Sequence, residues 1–223
     1  MSGLKTADPP ADCALCPRLA AFRAENKSAY PDYFNAPAPS FGLQGAALLI
    51  VGLAPGLHGA NRTGRAFTGD QSGDLLYATL EKAGLSNGRY ASAPGDGLRL
   101  KNTLITNAVR CLPPQNKPNA AEIRTCRPFL INQIKRMKKL RAILCLGRIA
   151  HDSTLAALDI RPKDAPFGHG ARHGVPGTQI TLFDSYHCSR YNTNTGRLTA
   201  KMFEDVFAAM KSCVDITPAS AAK

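Results

Sequence analysis

The chain has no tryptophan, and only 7% of its 223 residues are aromatic. Acids are few: 16 Asp and Glu stand against 28 Lys and Arg, for a formal charge of +12. No long hydrophobic run exists. The longest, Ala46–Leu53, is strand-sized and interrupted by Gly52, far short of the roughly 20 apolar residues that cross a bilayer. The opening MSGLKTADPPADC holds one Lys and no apolar block, so it reads as neither a secretory signal nor a transit peptide. A helical membrane protein is therefore excluded, and a soluble, cytosolic protein is the expectation.

What is present points elsewhere. A hydrophobic fraction of 44% is enough for one core in a chain of this length. The basic surplus attracts polyanions, of which nucleic acid is the commonest. Part of it is local: Arg124, Arg127, Lys135, Arg136, Lys138, Lys139 and Arg141 follow one another with no acid between them. A helix carrying them would offer a basic face to phosphates. Seven cysteines, an odd number without a signal peptide, suggest ligation rather than a disulfide framework.

Residues 1–12 read as a disordered tail, 13–213 as a single domain, and 214–223 as a C-terminal tail. Cys16–Asn26 predicts a short amphipathic helix, and the Pro- and aromatic-rich stretch Pro31–Gly45 a fixed loop. Four apolar runs predict strands: Ala46–Leu53, Asn102–Val109, Arg141–Leu146 and Thr178–Asp184. Helical patterns fall between and after them, at Gly73–Ala83, Asn119–Met137, Arg148–Leu158 and Thr199–Cys213. Asn119 and Glu122 form an N-cap and N3 pair. Strands alternating with helices predict an α/β three-layer sandwich around a central, mostly parallel four-stranded sheet. Ligands of such sheets bind beyond the carboxyl ends of the strands. There the sequence puts Ala54–Gly59, Asn107, Gly147-Arg148 and His187-Cys188-Ser189.

Three segments carry chemistry. Gly52–Gly73 (GLAPGLHGANRTGRAFTGDQSG) is a Gly-rich loop of about twenty residues, too long for an ordinary strand-to-helix turn. It lacks both the Lys-Ser/Thr of a phosphate loop and the GxGxxG of a dinucleotide site. Cys13 and Cys16 form C-x2-C, and Cys111 and Cys126 form C-x14-C. Four thiolates suit one tetrahedral zinc or the four corners of a cubane cluster. Cys145, inside an apolar run, reads as core. Finally, His187-Cys188-Ser189-Arg190-Tyr191-Asn192 follows the fourth strand, where a His can hydrogen-bond a developing anion.

Together, GLAPG…NRTGRAFTGD, TNAVRCLPPQNKPNAAEIRTCRP and HCSRYNTNTGRLT resemble the iron–sulfur uracil-DNA glycosylases. The resemblance covers nearly the whole chain. It is to family 5 (type B) first and family 4 next, since family 4 carries an acid where this chain has Leu53. It implies the uracil-DNA glycosylase fold and a monomer acting in base-excision repair in the cytosol or nucleoid of a bacterium or archaeon. Such an enzyme flips uracil out of DNA, with hypoxanthine and other deaminated or damaged bases as further substrates, and hydrolyses the glycosidic bond. The alternative is a damage-recognising DNA-binding protein with little turnover. The resemblance further implies a 4Fe-4S cluster on Cys13, Cys16, Cys111 and Cys126, with zinc as the second choice. Phe67 would stack on the flipped base; Asn107 and the backbone of Gly52, Leu53 and Ala54 would contact it. His187 would stabilise the departing base and Asp70 would be the carboxylate, with Asp74 as runner-up and Asn61 and His58 behind. Arg190, Tyr191 and Asn192 would enter the duplex.

Overall fold

The structure, a computed structural model, describes residues 6–214. Its strands in chain order are β1 (Phe41–Gly42), β2 (Leu48–Gly52), β3 (Ser86–Asn87), β4 (Arg99–Leu100), β5 (Thr103–Asn107), β6 (Ala142–Leu146), β7 (Arg172–Gly174) and β8 (Thr181–Ser185). Its helices are α1 (Pro17–Ala29), α2 (Ala60–Thr63), α3 (Gln71–Lys82), α4 (Ala120–Arg136), α5 (Arg148–Ala157), α6 (Arg190–Asn194) and α7 (Ala200–Val214).

Every residue of β2, β5 and β6 is buried, which is why these strands read as unbroken apolar runs rather than alternating ones. With β8 they form the predicted parallel core. Leu48, Ile50, Leu144 and Phe183 face one way, onto a cluster with Leu76 and Leu80 of α3 and Phe203 and Phe207 of α7. Leu49, Val51, Ile143 and Leu182 face the other way, with Leu130 of α4 and Ala150 and Leu155 of α5. The result is three layers with a sheet between two helical ones.

The sheet has six strands, not four, in the order β1-β5-β2-β6-β8-β7. The additional strands are antiparallel edges. They have two and three residues, too few to show a periodicity. β1 lies inside the stretch expected to be a loop. β3 and β4 form a separate small ribbon.

The capping box of α4 is present: Glu122 N–H donates to Asn119 Oδ1 (2.9 Å), and Asn119 N–H to Glu122 Oε2 (2.8 Å). The later part of the basic run lies away from the strand ends where ligands bind, while Arg124 and Arg127 sit on the first half of α4. α4 leads directly into the amino end of β6, so Lys135, Arg136, Lys138, Lys139 and Arg141 gather at the amino edge of the sheet, opposite the edge where ligands bind.

The expected N-terminal tail is also corrected in part. Ala7 is buried, and Asp8 Oδ1 accepts from the buried guanidinium of Arg110 (2.8 Å) and from Ser40 Oγ (2.8 Å). Desolvated Arg110 holds this segment because an unpaired charge there would be costly. Residues 1–5 lie outside the described residues, as does the expected C-terminal tail beyond Val214, whose carbonyl accepts from Asn102. Among the described residues no helix is long and apolar enough to cross a membrane.

Candidate active site

The loop from Leu53 to Asp70 is shaped by a buried arginine. Arg65 is only 6% exposed, and its guanidinium makes two parallel bonds to the 2% exposed carboxylate of Asp96 (2.8 and 2.7 Å). Its Nε donates to Thr68 Oγ1 (2.7 Å), and it lies over the rings of Phe41, Tyr77 and Tyr90. Arg65 holds the carboxyl of Asp96 well below the usual carboxylate range. Between Arg65 and Thr68 the chain turns through Phe67 at φ 53°, a left-handed conformation that costs a residue with a Cβ about 1–2 kcal/mol. Neighbours enforce it: Tyr77 Oη donates to the carbonyl of Ala66 (2.5 Å) and Tyr90 Oη to that of Phe67 (3.3 Å).

The enforced turn sets the Phe67 ring against the carboxyl ends of β2 and β5. A Cβ on Gly52 would strike both that ring and Asn107 Oδ1, so only glycine lets the two side chains meet above β2. Asn107 is 3% exposed, and its Oδ1 is buried without a hydrogen-bond partner among the described residues. Buried amide oxygens are rarely left so. Opposite stands His187, its ring stacked near Phe67 with centroids 5.9 Å apart. Asn192 Nδ2 donates to the His187 carbonyl (2.8 Å), fixing that backbone. Burial alone pushes the His187 pKa down to about 4, so the imidazole is neutral at physiological pH.

Asp70 caps α3. Its Oδ1 accepts from the backbone N–H of Ser72 (3.1 Å) and Gly73 (3.3 Å), while its Oδ2 has no hydrogen-bond partner among the described residues. Burial raises its pKa, outweighing the two N–H donors that pull it down, and Asp74 adds to the rise. Asp74 is on the first turn of α3, is exposed, and lines no part of the cavities. The other candidates are engaged elsewhere: Asn61 is buried and donates to Asn35 Oδ1 (2.9 Å), and His58 Nδ1 pairs with Tyr33 Oη (3.0 Å).

These residues line two adjoining cavities. An inner recess of about 30 Å³ holds Ala54, Phe67, Asp70, Asn107 and His187, roughly the room of one water. A groove of about 710 Å³ opens from it and shares Ala54, Asp70 and His187. Of the other predicted site residues, Leu53 and Asn192 also line this groove. Arg190 and Tyr191 do not; they lie on α6, a short helix rather than an open loop. Tyr191 is 71% exposed. Cys188 is fully buried and packs into the core, not the pocket.

The groove also contains residues to which the sequence assigns no role: Arg148, Phe167, Tyr186 and Arg197. The strand-end rule already places Arg148 after β6, without a role, and Tyr186 after β8 could have been found by the same rule. Phe167 and Arg197 are placed only by tertiary structure. A further buried pair went unread: His151 Nδ1 and Asp184 Oδ1 lie 2.7 Å apart beneath the groove wall. They are 33 positions apart in sequence, and no local pattern links them.

Away from the groove, Cys13, Cys16, Cys111 and Cys126 line one recess with Leu19, Val109 and Phe129. Burial pushes the thiol of Cys126 up to about 12 and that of Cys111 up to about 11; neighbouring thiols add to both rises. Arg23 Nη1 lies 3.5 Å from Cys111 Sγ. Among the described residues no three His, Cys, Asp or Glu groups converge tightly enough for a single metal ion.

The architecture and the site can be set against known proteins. A model of the Uracil DNA glycosylase superfamily matches residues 39–211, from the first strand to the last helix. The chain is 47% identical over 204 residues to a type-5 uracil-DNA glycosylase of Thermus thermophilus, covering 89% of this chain and 92% of that one. It is 42% identical to a type-5 uracil-DNA glycosylase of Mycobacterium bovis over 92% of this chain and 79% of the other. A type-4 uracil-DNA glycosylase of Pyrobaculum aerophilum is 32% identical over 67% and 69% of the two chains. The chain therefore belongs to the uracil DNA glycosylase superfamily.

Proposed function

We infer that this chain is a uracil-DNA glycosylase of base-excision repair, a hydrolase of the N-glycosidic bond. The observation that carries the residue assignment is the orphaned Oδ1 of Asn107 beside Phe67 in the inner recess. A pyrimidine edge satisfies it: the amide oxygen accepts from the uracil N3–H while the amide N–H donates to O4. Phe67 stacks on the ring. The recess is smaller than a base, so seating one separates Phe67 from His187. The backbone of Gly52, Leu53 and Ala54 completes the contacts.

As the C1′–N1 bond breaks, its electron pair leaves with the base. His187, kept neutral by burial, donates a hydrogen bond to O2, where the charge develops. Asp70 is fixed through Oδ1, and its free Oδ2 faces the developing sugar cation. It orients the water that adds to C1′ and takes its proton. Arg190 and Tyr191, exposed on α6, enter the duplex beside the flipped nucleotide. Leu53 offers no polar group to reject a purine, which extends the proposal to hypoxanthine.

The sulfur recess suits an iron–sulfur cluster. All its candidate donors are Cys, and four thiolates match the four iron corners of a cubane. Cys13 and Cys16 would then anchor α1 to Cys111 and Cys126. When bound, the cluster supplies a structural cross-link.

The test is base release from duplex oligonucleotides containing uracil or hypoxanthine, by wild type and Asp70→Asn. Asparagine keeps the cap but cannot take the proton, so release falls about 10²–10⁴-fold. Release by both proteins alike moves the role away from Asp70. No release by either, with tight binding, makes the chain a damage-binding protein. Uracil release without hypoxanthine release under enzyme excess refutes the wider range.

A further inference from the structure

The later part of the basic run, Lys135 to Arg141, lies at the amino edge of the sheet, yet DNA entering the groove brings phosphates to the carboxyl edge. Of the residues lining the groove, the only Asp, Glu, Lys or Arg side chains are Asp70, Arg148 and Arg197. Each of the two arginines lies against an aromatic ring of the groove and, unlike ring-seated Arg65, has no carboxylate within 3 Å among the described residues. Arg148 lies over the ring of Phe167 at 5.3 Å, and Arg197 over the ring of Tyr186 at 4.6 Å. Both rings line the same groove.

An aromatic seat fixes a guanidinium through its face and leaves its N–H edge unused. Tyr186 is itself held. His169 stacks on it at 5.0 Å, and Tyr186 N–H donates to His169 Nδ1 (3.2 Å). By contrast Arg18, Arg65, Arg110 and Arg161 spend their donors on Glu122, Asp96, Asp8 and Asp164 at 2.7–2.8 Å. Arg197 has no acidic partner among the described residues. Arg148 has only Asp152, four residues on, at 4.0 Å. Two guanidiniums are thus held in place beside the groove with their donors unspent, and ordering them on binding costs little further side-chain entropy.

We propose that Arg148 and Arg197 form a two-point clamp for backbone phosphates of the DNA strand that carries the target nucleotide. The planar fork of each binds phosphate oxygens. The rings set the spacing of the two forks, and the inner recess takes the base between them. The inference rests on the glycosylase reading for the identity of the strand. The contacts exist in ground state and transition state alike, so they act on binding and KM rather than on kcat.

The test measures binding to a duplex with a stable abasic analogue, at several salt concentrations, for wild type, Arg148→Gln, Arg197→Gln and the double variant. Uracil release is followed alongside. Lys139→Gln removes the same charge at the opposite edge and is the control, and circular dichroism checks folding. Each clamp variant lowers the slope of log K against log[salt] by about 0.9, and the double variant lowers it by about 1.8. KM rises and kcat stays within about twofold. Arg197→Lys keeps the slope but binds more weakly, because an ammonium lacks the fork and the seat. An unchanged slope in the double variant, or one matched by Lys139→Gln, overturns the clamp. Failure of the glycosylase reading is separate: wild type would release no uracil, while the binding slopes would still report on the clamp.

Discussion

Replacing Arg65 with Met tests how the fold holds its active-site loop. The substitution leaves the Asp96 carboxylate, 2% exposed, without its counter-ion. Breaking a buried pair from one side costs ~3–5 kcal/mol. Asp96 retains two donors, the backbone N–H of Ala91 (2.9 Å) and Leu98 (3.0 Å), and Met refills part of the space between the three rings. The lower end, about 3 kcal/mol, is the expectation, or roughly 6–12 °C in melting temperature for a chain of this size. Activity falls as well. The brace offsets the about 1–2 kcal/mol cost of a left-handed Phe67; without it the competent loop is depleted, and kcat/KM drops about 5–30-fold.

The pH dependence has a definite sign. Arg65 depresses the folded-state pKa of Asp96, so the pair's contribution is complete above the unfolded value of about 4 and is lost as pH falls toward the folded one. The variant lacks that contribution. Its stability deficit is therefore full at pH 7 and narrows below about pH 4. Thermal melts from neutral to acid pH, with single-turnover uracil release on the same samples, measure both effects. A variant that melts with wild type at pH 7 refutes the brace. One that loses stability but turns over normally severs the brace from Phe67.

Two further predictions concern the departing base and the cysteines. His187 is expected to stay neutral down to about pH 4, so an NMR titration of its ring should show no protonation near pH 6.5; a midpoint there would mean that burial does not depress the imidazole. Cys126→Ser should lose iron and visible absorbance and melt at lower temperature, while the folded fraction still releases uracil; one equivalent of zinc in the wild type, or an inactive but fully folded variant, contradicts the structural cluster.

The parts of this protein that could be read from its sequence are those with a local signature. Five-residue buried strands leave apolar runs, α4 announces itself through Asn119 and Glu122, and the carboxyl-edge rule collects Asn107, His187 and the Gly-rich loop before any contact is known. The edge strands left no signature because two or three residues carry no periodicity. The NRTGR stretch is conspicuous, but the role of its last arginine depends on Asp96, a residue 31 positions away. Phe67 gives no hint of a positive φ, since nothing in a phenylalanine codes for it. The basic run misled for a related reason: composition gives the sign of a charge, and only the direction of α4 relative to the sheet says which edge receives it.

Three glycines of the site have space for no other residue. A Cβ on Gly52 would land on Asn107 and Phe67, one on Gly59 on the carboxylate of Asp70, and one on Gly73 on the Phe67 carbonyl and the Tyr90 hydroxyl. The floor of the pocket is therefore closed to evolution by single steps, because any change there displaces a second site residue at once. A lineage that shifts its preference among bases has to do so from the rim, at positions such as Leu53 and Ile149, which no glycine contact of this kind constrains. Variation among descendants of this enzyme should collect in that ring, around an interior that drifts hardly at all.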